Sequence, residues 1–252
     1  MKPSGLEGRL ALVTGAGGGI GAAVVRQLLD EGARVVATDL DTPTLADLAC
    51  TTHALDVRDS AAVDALVARI EAEQGPIDFG VNVAGVLATG LVTETDDAAW
   101  RQVFAVNTDG VFHVSRALAR AMTPRQRGAI VTVSSNAAGV PRHAMAAYAA
   151  SKAASTMFTR CLGIELAPHG IRCNIVAPGS TVTPMQTGMW ADESGAEKVI
   201  AGSLETFKSG IPLGKLATPD DIADAVVFLL SDRAAHITMA DIYVDGGATQ
   251  RA

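Results

Sequence analysis

The feature of this sequence that most constrains its fold is the alternation of short aliphatic runs with longer amphipathic segments. Continuous Val, Ile and Leu runs are typical of strands buried on both faces, and amphipathic segments between them predict helices that cover a parallel sheet. We expect strands at Leu10–Thr14, Arg34–Thr38, His53–Leu55, Phe79–Val83, Ala129–Ser134, Cys173–Ala177 and Ile242–Val244. We expect helices at Gly19–Glu31, Ser60–Gln74, Asp96–Met122, Ala147–Ala167 and Pro219–Leu230. The pattern predicts an α/β fold, a doubly wound parallel sheet of about seven strands with helices on both faces.

The segment from about residue 184 to residue 215 departs from this alternation. Its helical periodicity is weak, and Met and Trp residues stand there among charged ones. A stretch of this length in a compact domain is usually functional, so we expect a lid over a substrate site. No internal repeat or Pro/Ser-rich linker divides the chain, and the sequence predicts one domain over residues 1–252.

Composition excludes several classes of protein. With 27 acidic and 20 basic residues the net charge is −7, and the basic residues are scattered, which argues against a nucleic-acid or anionic-membrane partner. No apolar stretch reaches the roughly 18 residues of a membrane span, and the N-terminus lacks a signal peptide's apolar core, so we expect a cytoplasmic protein. Cys50, Cys161 and Cys173 show no CxxC spacing, which predicts buried reduced thiols and no metal site. A small-molecule substrate is the remaining expectation.

A glycine-rich segment, Thr14–Gly21, joins the first predicted strand to the first predicted helix. Glycines let the backbone approach a pyrophosphate closely, and the free N–H groups of a helix N-terminus favour an anion. Asp39 ends the second strand 20 residues beyond Gly19, where a carboxylate accepts both hydroxyls of an adenine ribose and repels a 2′-phosphate. This arrangement predicts a Rossmann-like site for NAD rather than NADP.

The ends of the next strands supply further candidates for this site. Asp56 follows the third strand, where it could accept from the adenine amino group or instead start the next helix. Small residues close the fourth strand and leave room for the cofactor. We expect the dinucleotide to contact Gly15, Gly19, Ile20, Gly21, Asp39, Leu40, Asp56, Val57, Asn82, Ala84 and Gly85.

Tyr148 and Lys152 are four residues apart, which places a phenol and an ammonium one turn apart on the same helix face. Ser135 lies 13 residues upstream at the end of the fifth strand, on the sheet edge where doubly wound folds bind ligands. Oxidation of an alcohol requires a base, and a nearby cation favours the phenolate. We therefore expect Lys152, together with a positive nicotinamide ring, to lower the pKa of Tyr148, and Ser135 to orient the reacting oxygen. Asn107, within the long predicted helix, is expected to distort it locally.

These motifs together resemble the classical short-chain dehydrogenase/reductase family, from Arg9 to about Gly247. The matching residues are Thr14-Gly15-x-x-x-Gly19-x-Gly21, Asn82-x-Ala84-Gly85, Asn107, Ser135, Tyr148-x-x-x-Lys152, Pro178-Gly179-x-x-x-Thr183 and Val244-Asp245-Gly246-Gly247. The resemblance implies that Tyr148, Lys152, Pro178, Gly179, Thr181 and Thr183 contact the cofactor, Thr183 at its carboxamide. It also implies a proton relay from Tyr148 through the ribose and Lys152 to water held by Asn107, and a homotetramer. Val83 replaces the family's second Asn, which we expect to affect packing rather than chemistry.

Three variable segments resemble a subfamily that oxidises a carboxylated cyclohexadiene diol, a cyclic hydroxy acid. Arg142, in the loop between Ser135 and Tyr148, could bind a carboxylate through its planar guanidinium or stand as an exposed loop charge. Met145, Met185, Met189 and Trp190 could form an apolar wall for a flat ring or pack only within the lid, and Gln186 could bind a ring hydroxyl.

Three other functions stay open at this stage. The analogous acid with an amine in place of one ring hydroxyl would suit Arg142 equally well. A general secondary-alcohol or ketone oxidoreductase is also possible, although Asp39 disfavours NADPH. A protein that binds NAD without turnover has the same fold, but the intact Ser135, Tyr148 and Lys152 argue against it.

Overall fold

The computed structural model describes residues 3–190 and 192–250 of the chain. Its centre is a sheet of seven parallel strands in the order β3-β2-β1-β4-β5-β6-β9. These strands are β1 (Leu10–Thr14), β2 (Arg34–Asp39), β3 (Thr51–Ala54), β4 (Ile77–Asn82), β5 (Gly128–Val133), β6 (Ile171–Pro178) and β9 (Asp241–Val244). The order reverses between β1 and β4, and an open α/β sheet binds its ligands at such a switch point.

All seven predicted strands exist, and β1 has the predicted bounds. The third, fourth and sixth each begin two residues earlier than expected; the third was expected at His53–Leu55 and lies at Thr51–Ala54. Leu55 continues the contact with β2, since its N–H donates to the carbonyl oxygen of Asp39 at 2.9 Å. The polar residues at the start of β3 pair at the sheet edge and therefore lack the buried apolar run that marks the inner strands.

Helices cover both faces of the sheet, as predicted. They are α1 (Gly19–Asp30), α2 (Ser60–Glu73), α3 (Asp97–Phe104), α4 (Val111–Met122), α5 (Ala146–Leu166), α6 (Pro184–Thr187), α7 (Gly195–Ala201) and α8 (Pro219–Leu230). Helices α1 and α8 pack together in one apolar layer, which contains Leu28 and Val226. Helices α2, α4 and α5 contribute to a second layer, which contains Leu66, Leu118 and Leu162. The fold is therefore a three-layer Rossmann-like α/β structure.

The prediction of one continuous helix over Asp96–Met122 is wrong in detail. A π-helical segment, Ala105–Gly110, separates α3 from α4. The side chain of Asn107 at its centre bonds to residues outside the helix. Gly110 packs against Val57, and a Cβ at this glycine would lie 2.6 Å from the Val57 side chain. The expected local distortion at Asn107 is therefore present, and it is a wider helical turn rather than an end of the helix.

The segment expected to be a lid contains short regular elements. Helices α6 and α7 are followed by a two-stranded hairpin, β7 (Gly202–Ser203) and β8 (Lys208–Ser209). Gly202 has φ +82, and a Cβ there would approach the Lys208 carbonyl oxygen and the Gly210 nitrogen to 2.5 Å. Glycine is therefore required at the base of the hairpin. The function of the segment as a lid stays a prediction.

Other sequence expectations concern the cysteines and the membrane. Cys173 is buried and Cys50 half-buried, but Cys161 is exposed on α5, so the expectation that all three are buried is wrong for Cys161. Across the residues that the structure describes, no helix is long and apolar enough to span a bilayer. The same residues include no cluster of three or more His, Cys, Asp or Glu side chains placed to hold a metal ion.

Candidate active site

Two adjoining cavities open at the carboxyl edge of the sheet. The first, of about 390 Å³, lies over the loop between β1 and α1. The second, of about 360 Å³, lies between the end of β5, the start of α5 and the segment after β6. Ile20, Val83, Gly85, Thr183 and Met185 line both. A ligand that fills the first cavity therefore extends to the wall of the second.

The first cavity has the features of a dinucleotide site. Gly15 has φ +67, and a Cβ there would lie 2.5 Å from the nitrogen of Ala84. A Cβ at Gly21 would overlap the carbonyl oxygen of Gly15. Helix α1 begins without a side-chain cap or an acidic residue in its first turn, which leaves its N–H groups available for an anion. These features fit a pyrophosphate group.

Most of the residues predicted to bind the cofactor line one of the two cavities. Gly15, Gly19, Ile20, Gly21, Asp39, Leu40, Asp56, Val57, Ala84, Gly85 and Thr183 line the first. Tyr148, Lys152, Pro178, Gly179 and Thr181 line the second, with Ile20, Gly85 and Thr183 shared. Thr183 also caps α6, since its hydroxyl oxygen accepts from the Gln186 N–H at 3.3 Å.

Asp39 ends β2 at the rim of the first cavity. One of its carboxylate oxygens accepts a hydrogen bond from the N–H of Gly17 at 2.9 Å. This bond fixes the carboxylate beside the glycine loop. The arrangement suits a ribose with two free hydroxyls, as the sequence predicts.

Asp56 lines the first cavity, so its expected contact with the adenine amino group stays a prediction. Its carboxylate accepts from the Arg58 guanidinium at 2.6–3.0 Å, and this interaction lowers the pKa of Asp56. Asp59, not Asp56, caps α2, because its carboxylate accepts from Ala61 and Ala62. The expectation of a helix-start role for Asp56 is therefore wrong. Arg58 also lines the first cavity and was not found from the sequence.

Asn82 lines neither cavity. Its side-chain amide donates to the hydroxyls of Ser115 at 2.9 Å and Thr132 at 3.3 Å. Both partners are buried, and Asn82 itself is only 2% exposed. Its side chain therefore joins β4 to α4 and β5, and we correct the expected cofactor contact to a structural role.

Ser135, Tyr148 and Lys152 converge on the second cavity, as the sequence predicts. Ser135 follows β5, while Tyr148 and Lys152 lie in the first turns of α5. The Ser135 hydroxyl hydrogen-bonds the Tyr148 phenol, and the Lys152 Nζ lies 5.9 Å from the centre of the Tyr148 ring. The phenol therefore stands between a hydroxyl and an ammonium at the wall of the cavity.

Burial dominates the electrostatics of this group in the protein alone. Burial raises the pKa of Tyr148, and the hydrogen bond from Ser135 opposes that shift only in part. Burial also lowers the pKa of Lys152 to about 8. Both shifts belong to the protein without its cofactor, so the lowering of the Tyr148 pKa by Lys152 together with a positive nicotinamide ring stays a prediction.

Asn107 lines neither cavity and is linked to the site only by hydrogen bonds to neighbouring residues. Its side chain accepts from the N–H of Val86 at 2.8 Å and donates to the Val86 carbonyl at 2.9 Å and to the Ser151 hydroxyl at 3.0 Å. A Cβ at Gly85 would lie 3.3 Å from both Asn107 Oδ1 and Lys152 Nζ. Asn107 therefore fixes the loop after β4 beside Lys152, and the predicted water stays a prediction.

The second cavity also contains the residues predicted to bind substrate. Arg142, Met145, Met185, Gln186, Met189 and Trp190 all line it. Met185 and Met189 are 44% and 42% exposed, so they form an open rim rather than an internal core. The Trp190 indole N–H is buried and has no hydrogen-bond partner among the residues that the structure describes. Lys208 lines the same cavity and was missed, because a lone lysine in an irregular segment carries no sequence signal.

The fold and the arrangement of Ser135, Tyr148 and Lys152 define an oxidoreductase-type site. Comparison of the chain with known protein families identifies the family to which it belongs. A family model described as enoyl-(acyl carrier protein) reductase matches residues 15–249. The chain belongs to the short-chain dehydrogenase/reductase family, which uses a nicotinamide cofactor.

More specific similarities extend over the whole chain. The 2,3-dihydro-2,3-dihydroxybenzoate dehydrogenase of Bacillus subtilis (strain 168) is 57% identical over 258 residues, with 99% of each chain covered. The enzyme of the same name from Escherichia coli (strain K12) is 44% identical, with 96% of this chain and 98% of the relative covered. The crystal structure of gox2181 superposes with a TM-score of 0.85 at 32% identity and 97% coverage of both chains.

Proposed function

We propose that this protein oxidises 2,3-dihydro-2,3-dihydroxybenzoate to 2,3-dihydroxybenzoate with NAD⁺. The observation that carries the proposal is the convergence of Ser135, Tyr148 and Lys152 on a cavity that also contains Arg142. A base and a cation then face one bound acid. The 57% identity to the dehydrogenase of Bacillus subtilis supports the same substrate.

Three residues of the site have separate roles in the proposed reaction. Tyr148 removes the proton of the C3 hydroxyl, and Ser135 donates a hydrogen bond to the reacting oxygen. Lys152, buried beside the phenol, favours the phenolate that this proton transfer requires. NAD⁺, when bound, supplies the hydride acceptor. Loss of the C3 hydride and the hydroxyl proton leaves an enone acid that tautomerises to the aromatic diol, and aromatisation makes the conversion effectively one-way.

The choice of NAD⁺ over NADP⁺ rests on Asp39. Its carboxylate is fixed at the rim of the first cavity by Gly17. A phosphate on the ribose would meet a like charge there, which costs several kcal/mol. Arg58, the cation that lines this cavity near Asp56, is already paired with that carboxylate. It is therefore not free to neutralise a phosphate.

A spectrophotometric assay of NADH formation with the dihydrodiol acid tests this function. We expect turnover with NAD⁺, and a loss of about 10²–10⁴-fold in kcat for Tyr148→Phe with cofactor affinity retained. Tyr243→Phe changes the other tyrosine of the chain, in β9, and serves as the control. Wild-type turnover by Tyr148→Phe would exclude the proposed base. Faster turnover of the 2-amino dihydro acid than of the diol acid would instead favour an enzyme for that substrate.

The biological setting belongs to the same proposal. The product is the aromatic acid from which catechol siderophores are made, so we place the enzyme in siderophore biosynthesis. A homotetramer and a cytoplasmic location stay predictions. Sedimentation of the purified protein measures the first, and fractionation of producing cells measures the second.

A further inference from the structure

The second cavity is positively charged in a protein that is negative as a whole. Arg142, His143, Lys152 and Lys208 line it, whereas no Asp or Glu in the described part of the chain does so. The net charge of the full sequence is −7. A concentration of basic groups in one cleft attracts an anion and holds it there.

Lys208 lines this cavity from β8. Two backbone features fix its position. The hairpin is closed at its base by Gly202, whose φ of +82 admits the close approach of Lys208. Ser209, the next residue, donates its hydroxyl hydrogen to the carbonyl oxygen of Ala248 at 3.0 Å. Lys208 is therefore held by ordered backbone.

Neither the Lys208 ammonium nor the Arg142 guanidinium forms a side-chain hydrogen bond or an ion pair with any residue that the structure describes. Burial lowers the pKa of Lys208, and the positive charge of Arg142 lowers it further. Burial lowers the pKa of Arg142, and the negative charge of Asp245 opposes that shift. Asp245 does not line the cavity. Asp245 instead accepts hydrogen bonds from Gly247 and Thr249.

Two half-buried cations, one of which lowers the pKa of the other, are unfavourable until an anion binds both. A carboxylate has two oxygens and so binds a guanidinium and an ammonium at once. No acidic side chain of the described residues lining the cavity fills this position. The anion must therefore come from the ligand.

We propose that Lys208 is a second ligand of the substrate carboxylate, acting with Arg142 to select a carboxylated ring. This inference rests on the proposed function and extends it to a residue of the hairpin. Uncharged cyclic diols lack this interaction and are bound weakly.

The test compares Lys208→Met with Lys215→Met, which removes the same charge from an exposed lysine outside both cavities. Two substrates are used with NAD⁺: the dihydrodiol acid, and the cyclohexadiene diol that lacks the carboxylate. For Lys208→Met we expect kcat/KM on the acid to fall about tenfold or more, mostly through KM, because a charge-assisted hydrogen bond is lost. On the neutral diol it should match wild type. Lys208→Arg should restore most of the loss.

A binding measurement gives a readout that does not depend on turnover. In calorimetric titrations, 2,3-dihydroxybenzoate should bind Lys208→Met about tenfold more weakly than Lys215→Met, whereas catechol should bind both equally. Equal binding of the acid by the two variants, with equal affinity for NAD⁺ and equal Tm, would overturn the role of Lys208. Equal loss on acid and neutral ligands would also overturn it, since it would indicate a packing defect. Absence of any wild-type turnover of the acid would instead refute the proposed function.

Discussion

The ammonium group of Lys152 donates a hydrogen bond to the carbonyl oxygen of Val133, at 3.0 Å. Val133 is the last residue of β5, so the end of the strand fixes the lysine beside Tyr148. A carbonyl is a neutral partner, and burial leaves the ammonium with a pKa of about 8. The fold therefore holds an uncompensated charge at the site where the chemistry requires one.

Replacement of Lys152 by Met should make the protein inactive but more stable at neutral pH. The pKa falls from 10.5 in the unfolded chain to about 8 in the folded one, which corresponds to a cost of about 3 kcal/mol below pH 8. Loss of the hydrogen bond to the Val133 carbonyl reduces this gain in stability by about 1 kcal/mol. We expect Lys152→Met to raise Tm by several degrees at pH 7, measured by calorimetry.

The pH dependence of that difference distinguishes the charge from simple packing. Between pH 8 and 10.5 the unfolded chain binds more protons at Lys152 than the folded one, so wild-type stability rises with pH in this range. The gain from Lys152→Met should therefore shrink as the pH approaches 10. A gain that does not depend on pH would contradict this account. Lys215→Met controls for the loss of a surface charge.

Replacement of Asp39 by Asn should weaken the preference for NAD⁺. The amide oxygen still accepts from Gly17, but the charge that repels a 2′-phosphate is gone. We expect the ratio of kcat/KM for NAD⁺ to that for NADP⁺ to fall by about tenfold or more, which is about 1.4 kcal/mol. Asp47→Asn, an exposed carboxylate after β2, should leave the ratio unchanged.

Two glycines of the cofactor loop should respond differently to alanine. A Cβ at Gly21 would overlap backbone of Gly15, whereas a Cβ at Gly18 would meet only ordinary contact, at 3.5 Å. We expect Gly21→Ala to lower the free energy of unfolding by about 1–3 kcal/mol, since backbone must shift. Denaturant unfolding of both variants measures this. Similar stability of the two would show that the loop relaxes freely.

Asn107→Ala should lower both stability and activity. It leaves the N–H and carbonyl groups of Val86 without their partners, at a cost of about 1–3 kcal/mol. The loop after β4 then loses its fixed position beside Lys152. We expect a lower Tm and a lower kcat for Asn107→Ala, measured by calorimetry and steady-state kinetics. An unchanged kcat with a lower Tm would limit Asn107 to a structural role.

Local patterns predicted much of the fold because they act over short stretches of chain. Gly32, Gly75 and Gly170 lie just past helix ends and have positive φ there, which is a local preference of glycine. The sequence predicted a distortion at Asn107 but not its π-helical form, because Asn107 and Gly110 contact Val86 and Val57, which are distant in the chain. Propensity gives no measure of such contacts.

The sequence by itself determined the order of strands and helices, the glycine cradle, and the convergence of Ser135, Tyr148 and Lys152 on one sheet edge. These follow from periodicity and from the rule that parallel strands end on the same side. Only the tertiary structure decided that Asn82 faces the interior, that Asp56 pairs with Arg58, and that Lys208 joins Arg142. The physical reason is that burial, desolvation and ion pairing depend on which distant residues the fold brings into contact, whereas periodicity depends only on neighbours in the chain.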